Sequence, residues 1–152
     1  MNFNSKLMKN LSDCFSPSGR EQNIREMIIN EISDYADEVN IDALGNVIAR
    51  KKGNGKKVLF SAHMDQIGLI ITHVDERGFL RFSNVGGLDA DELIGLHMVF
   101  DKGLEGFISS EELEGKEKVT MSKLFLDVGS TSKDFVKANF KVGDMCVFQA
   151  HY

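Results

Sequence analysis

The chain has 152 residues, 42% of them apolar, and its 18 basic and 23 acidic side chains leave a formal charge of −5. That apolar share supports a packed core and excludes intrinsic disorder, while the acidic balance excludes nucleic-acid binding through bulk positive charge. The longest apolar run, residues 67–71 with Gly68 inside it, falls far short of the roughly 20 residues of a membrane span.

Residues 1–10 lack the apolar centre of a signal peptide, so a cytoplasmic protein is expected, with Cys14 and Cys146 as reduced thiols. Leu7, Met8 and Leu11 recur at helical spacing behind a possible cap at Asn4 or Ser5, and residues 16–19 (Ser-Pro-Ser-Gly) break that helix. Ser18 then stands three residues before Glu21, the spacing of a capping box. Ile24, Met27, Ile28, Ile32 and Tyr35 follow at helical period, which predicts an amphipathic helix over 19–35.

Beyond Asp37 the period changes to two. Val39 and Ile41 predict one strand, residues 44–46 a turn, and 47–50 a second strand. The basic, glycine-containing stretch 51–57 reads as a solvated hairpin tip. Residues 58–62 (Val-Leu-Phe-Ser-Ala) are nearly all apolar, as in a strand covered on both faces of an α/β sheet.

From Ile67 onward the texture is all-β. Strands are expected at 67–74, 79–82, 97–101, 105–108, 123–128 and 145–149, with glycines at the turns. Residues 111–118 are too charged for a core and predict an exposed loop, and 132–139 predict a short helix capped by Ser130 or Ser132. No internal repeat is present. The composition shift near residue 66 separates a helix, hairpin and buried strand from a β domain of about 80 residues, within the ordinary range of domain sizes.

The residues best placed for chemistry are His63 and Asp65, two apart after the apolar 58–62 run. In extended chain such residues point the same way, and ligand sites in α/β sheets gather at the carboxyl ends of strands. A metal-bound histidine commonly gives its other ring proton to a carboxylate, a role open to Asp65. By itself the His-x-Asp pattern is also compatible with a satisfied histidine beside a turn residue.

The other candidates read as structural. His73 is expected to fill a strand face, and His97 and His151 have no carboxylate or cysteine at ligand spacing. Cys14 reads as a buried thiol, since no histidine is near it in sequence. Residues 89–92 (Asp-Ala-Asp-Glu) lack the spaced oxygen ligands of a calcium loop, and Gly86-Gly87 has no following Lys-Ser or Lys-Thr for a phosphate loop. The eleven phenylalanines read as core, because no basic residues interleave with them.

Six blocks in order resemble a known family: 18–21 (Ser-Gly-Arg-Glu), 42–49 (Asp-Ala-Leu-Gly-Asn-Val-Ile-Ala), 61–68 (Ser-Ala-His-Met-Asp-Gln-Ile-Gly), 78–82 (Gly-Phe-Leu-Arg-Phe), 85–87 (Val-Gly-Gly) and 126–129 (Leu-Asp-Val-Gly). Together they resemble the cocatalytic metallo-aminopeptidases of the glutamyl and tetrahedral aminopeptidase type, some of which are labelled endoglucanases. The resemblance implies an α/β fold: a partial catalytic domain at residues 1–67, interrupted by an inserted all-β, barrel-like domain at 68–150 used in oligomer assembly. It implies a large cytoplasmic homo-oligomer, often a dodecamer, that removes amino-terminal residues from peptides with two divalent ions, zinc or cobalt. His63 would be one metal ligand and Asp65 the aspartate that orients it. Many relatives carry glutamate where this chain has Gln66.

The family's chains are about twice this length. Its metal-bridging aspartate, paired glutamates, further carboxylate ligand and second histidine all follow the inserted domain, so none has a match here. Zinc sites draw on three or four protein ligands. The chain by itself is therefore expected to be inactive. Two other readings compete: a non-catalytic β module for assembly or peptide binding through an edge strand, and a glycoside hydrolase, which needs a facing carboxylate pair that nothing in the sequence marks.

Overall fold

The computed structural model describes residues 4–113, 115, 117–130 and 132–149, and these divide into two units between Asp65 and Gln66. His151 lies outside the described residues.

The first unit opens with helix α1 (Ser5–Asp13), whose first turn is closed by the Asn4 side chain accepting from the Leu7 amide at 3.1 Å. Helix α2 is Gln22–Ile32, shorter at both ends than periodicity predicts. At its start the capping box does not form. Residues 17–20 instead make a tight turn, with the Arg20 amide donating to the Pro17 carbonyl at 2.8 Å and Gly19 at φ +88°. A left-handed residue at the third turn position is the mark of a type II turn, which glycine adopts without steric cost. Ser18 is consumed by the turn, and the Glu21 carboxylate accepts from the Gly19 amide rather than the Ser18 amide. At the other end, residues 33–35 tighten into a 3₁₀ turn.

Strand β1 (Glu38–Ile41) pairs antiparallel with β2 (Val47–Arg50), and Ile41 faces Val47 across the turn. Asp42 builds that turn: its carboxylate accepts from the amides of Leu44 and Asn46, both at 2.9 Å, and from the Asn46 side chain at 2.8 Å. These bonds, the Asn46 side chain foremost, hold the Asp42 carboxyl below its ordinary range. Arg25 of α2 donates to the Gly45 carbonyl at 2.9 Å, which ties helix to hairpin. Gly45 is at φ +90°, a left-handed conformation that glycine adopts without steric cost, and a Cβ there would push the Arg25 guanidinium aside.

Residues 51–62 depart from expectation. The basic stretch 51–57 is no hairpin tip, and 58–62 is not a strand. A strand exists through hydrogen bonds to a neighbour, and among the described residues no segment pairs with this one. Its apolar side chains are open to solvent on both sides: Leu59 is 89% and Phe60 91% exposed. Both values are far from the burial such a run ordinarily finds.

The second unit is a closed six-stranded barrel in the order β3-β4-β7-β6-β5-β8. Its strands are β3 (Gly68–Val74), β4 (Leu80–Val85), β5 (His97–Phe100), β6 (Glu105–Ser110), β7 (Leu124–Asp127) and β8 (Met145–Phe148). Alternation sets the faces. Leu69 and Ile71 of β3, Leu80 and Phe82 of β4, Met98 and Phe100 of β5, and Ile108 of β6 all point into one core with Leu124, Leu126 and Cys146. Helix α3 (Lys133–Asn139) closes on this core through Val136, and its cap is Ser132, whose hydroxyl accepts from the Phe135 amide at 3.3 Å. Burial pushes the Cys146 thiol up to about 12, which keeps it in the unreactive thiol form at neutral pH.

Closure between β3 and β8 needs a residue without a side chain. Gly68 lies opposite Val147, and a Cβ there would stand 2.4 Å from the Cys146 carbonyl oxygen. Across the barrel, Arg81 bridges the Asp75 carboxylate at 3.4 Å and Glu111 at 2.6 Å, which anchors the start of the charged 111–118 segment.

Candidate functional site

His63 and Asp65 come together as the sequence predicts, although on an extended segment and not at the end of a strand. The ring nitrogen Nδ1 of His63 lies 3.0 Å from a carboxylate oxygen of Asp65 and 3.2 Å from the Asp65 carbonyl. An ionised carboxylate and a carbonyl are acceptors only, so Nδ1 is the donor in this contact, and in the neutral form of the ring Nε2 presents its lone pair. Nε2 has no hydrogen-bond partner among the described residues, and the side chain is 86% exposed.

Partial burial opposes ionisation of the Asp65 carboxyl, but the bond to His63 and the nearby Ser18 side chain outweigh it and hold the group below its ordinary value. Asp65 is therefore a carboxylate at neutral pH.

The pair borders an open cleft of about 770 Å³ within the first unit. Its walls are Arg25, Ile28 and Ile32 of α2, the inner side of β2, and residues 59–65. The lining is mixed, with Glu21, Asp42 and Asn46 beside the apolar residues, and the cleft is wide rather than enclosing.

The donor set can be compared with what a metal requires. A neutral imidazole with Nδ1 tied to a carboxylate and Nε2 free is the usual state of a histidine ligand. It fits one coordination position. Among the described residues no three His, Cys, Asp or Glu side chains converge into a site that could hold an ion. The remaining ligands of any such site must come from elsewhere.

The other candidates behave differently from their sequence readings. His73 is exposed and fills no face. His97 does have a carboxylate partner: its Nε2 lies 3.0 Å from Glu105 on the neighbouring strand, and its ring stacks on Phe107 at 4.6 Å. The antiparallel register of β5 and β6 brings these residues together, which spacing along the chain conceals. Cys14 is half-buried instead of buried, and partial burial raises its thiol. Residues 90–92 form an exposed 3₁₀ turn. Ser18 caps no helix and sits in the 17–20 turn.

This arrangement of helices, hairpin and barrel is one found in solved aminopeptidases. The structure superposes on the TET aminopeptidase of a marine-sediment Thaumarchaeota archaeon with a TM-score of 0.87 at 34% identity, over 95% of this chain and 44% of that one. The TET1 peptidase of Pyrococcus horikoshii, described as able to assemble into a tetrahedron or a large octahedral shell, matches with a TM-score of 0.82 at 38% identity, over 96% of this chain and 46% of its own. In sequence the chain is 34% identical over 159 residues to the lysyl aminopeptidase of Pyrococcus furiosus, covering 97% of this chain and 46% of that protein. Residues 45–152 match the M42 glutamyl aminopeptidase family, and the chain belongs to that family. It spans rather less than half the length of these relatives.

Proposed function

We propose that this chain is the amino-terminal portion of a two-metal aminopeptidase that releases amino-terminal residues from peptides. The observation that carries the reading is the His63–Asp65 pair, with Nδ1 tied to the carboxylate and Nε2 left free at the border of the cleft. Membership of the M42 family supports the reaction class.

Under this reading residues 1–67 belong to the catalytic domain. Val58–Ala62 is then a sheet strand whose neighbours lie in the half of the relatives that this chain does not match, which accounts for its exposed apolar side chains. Residues 68–150 form an inserted domain, and its closed barrel leaves no open sheet edge, so it can fold as an independent block. The assembly of the Pyrococcus horikoshii relative supports a homo-oligomer. His63 would hold one of two divalent ions, zinc or cobalt, and Asp65 would orient it. When bound, the ions supply Lewis-acid polarisation of the scissile carbonyl and a hydroxide near neutral pH. What this chain itself supplies is a neutral imidazole in the right tautomer and the carboxylate that keeps it there.

The test uses the polypeptide extended past Tyr152 to the length of its relatives. It is expected to hydrolyse aminoacyl anilides, to lose that activity to a chelator, and to regain it with zinc or cobalt. The 152-residue chain, holding one histidine of the site, is expected to show none. Chelator-resistant activity, or hydrolysis of carboxymethylcellulose in place of the anilides, would overturn the assignment.

A further inference from the structure

We infer that the open cleft of the first unit is the seat of one further β-strand, supplied by the half of the polypeptide that this chain does not match. That strand pairs with β2 on one side and with residues 58–62 on the other. The inference rests on the reading of this chain as the amino-terminal portion of a longer protein, and concerns where the two portions join.

The cleft has unpaired backbone on both walls. One wall is β2, and the other runs through residues 59–65, with Ile28 and Ile32 of α2 also lining the space. β2 is paired on one side only, to β1. In that hairpin the Asp42 amide donates to the Asn46 carbonyl at 3.1 Å. Bonded and non-bonded pairs alternate along an antiparallel ladder. Counting from Asp42 and Asn46, the Ile48 amide turns toward β1, and the amides of Val47 and Ala49 turn to the free edge. On the opposite wall, residues 58–62 belong to no helix or ladder, and Val58 joins Leu59 and Phe60 among the exposed apolar residues. A helix seated in the cleft would cover those side chains but leave both rows of backbone groups unpaired. A strand covers the side chains and pairs both rows.

The barrel gives a second line of argument. Strands β3 and β8 are neighbours, with Gly68 opposite Val147, so the chain leaves the barrel beside the point at which it enters. Neighbouring strands lie only about 4.8 Å apart. Every barrel strand is already paired on both sides, so a continuing polypeptide finds no free edge there. It sets out instead beside Gly68, a short step along the chain from Asp65. More than half of each solved relative lies outside the matched portion, so one polypeptide holds enough chain to supply the strand without a second copy.

Hydrogen exchange tests this on two proteins of native sequence: the 152-residue chain and the polypeptide extended to the length of its relatives. Mass spectrometry reads peptides covering residues 46–50 and 57–63. In the 152-residue chain, 57–63 is expected to exchange as free chain does, and 46–50 to keep a fast fraction from Val47 and Ala49. In the extended polypeptide both should slow by more than about 100-fold, since paired core strands open far more rarely than mobile segments. Unslowed exchange at 57–63 would overturn the inference. Slowing there with 46–50 unchanged would also overturn it, because the new strand would then lie outside the cleft. Slow exchange at 57–63 already present in the 152-residue chain would do the same, and light scattering would show whether a second copy is the occupant. The two readings fail separately. Slowed exchange in an extended protein without metal-dependent aminopeptidase activity keeps the strand and defeats the peptidase reading, whereas an active enzyme with both peptides open defeats only the inference.

Discussion

His63→Ala, introduced into the polypeptide extended to the length of its relatives, is expected to lower chelator-sensitive aminopeptidase activity by more than about 100-fold. Removing a residue that only orients a ligand typically costs about 10- to 100-fold in metal affinity or activity, and removing the ligand itself should cost more. Asp65→Asn should fall within that smaller range. It keeps the side chain's size but replaces the carboxylate that receives the Nδ1 proton at 3.0 Å with a group that can also donate. The ordering His63→Ala, then Asp65→Asn is the specific expectation, because under this reading the aspartate acts on the metal only through the histidine. Metal content measured beside the rate separates lost binding from lost chemistry. Equal activity and equal metal content in the His63→Ala protein would remove His63 from the site.

The second large effect concerns the barrel. Leu126 is fully buried on β7, opposite Leu80 of β4 on one side and Ile108 of β6 on the other. Leu126→Ala removes its side chain from a closed structure with no free edge along which to relax. Such truncations cost about 2–5 kcal/mol, and full burial between two buried partners places this one in the upper half of that range. Domains are stable by only about 5–15 kcal/mol, so the urea midpoint of the barrel should fall steeply. Lys102→Ala, on the exposed turn between β5 and β6, should change stability by no more than about 0.5 kcal/mol. Comparable losses from both substitutions would mean that Leu126 is not the core residue described above.

Much of this fold is legible in the sequence, and the exceptions have physical causes. Helix α1 with its Asn4 cap, the β1–β2 hairpin and the barrel strands are announced by local signals: helical spacing, a Leu-Gly-Asn turn, and short apolar runs punctuated by glycines. Each of these elements finds its partners within the described residues. Val58–Ala62 does not, and there the reading fails. Its apolar run states that the segment belongs in a covered strand, but the pairing that makes a strand must come from another segment. Ser18 and Glu21 have capping-box spacing, yet the Pro17–Arg20 turn takes the segment and the Glu21 carboxylate accepts from the Gly19 amide.

The candidate site follows this pattern. His63 and Asp65 are neighbours in sequence, and their contact was predicted from two-residue spacing in extended chain. The contact is present even though the strand is not, because extended backbone alone places residues i and i+2 on one side. Glu105, eight residues from His97, gives no such signal.

The central claim is that this chain is one part of an aminopeptidase whose metal site is completed by residues following the matched portion. The nucleotide sequence downstream of the Tyr152 codon tests it most directly. An open reading frame of roughly equal length, carrying at least one further histidine and several carboxylates that align with the unmatched half of the Pyrococcus furiosus lysyl aminopeptidase, is the predicted result. A stop codon immediately after Tyr152, with no second gene encoding that half, would contradict the account and leave the barrel as an assembly or peptide-binding module.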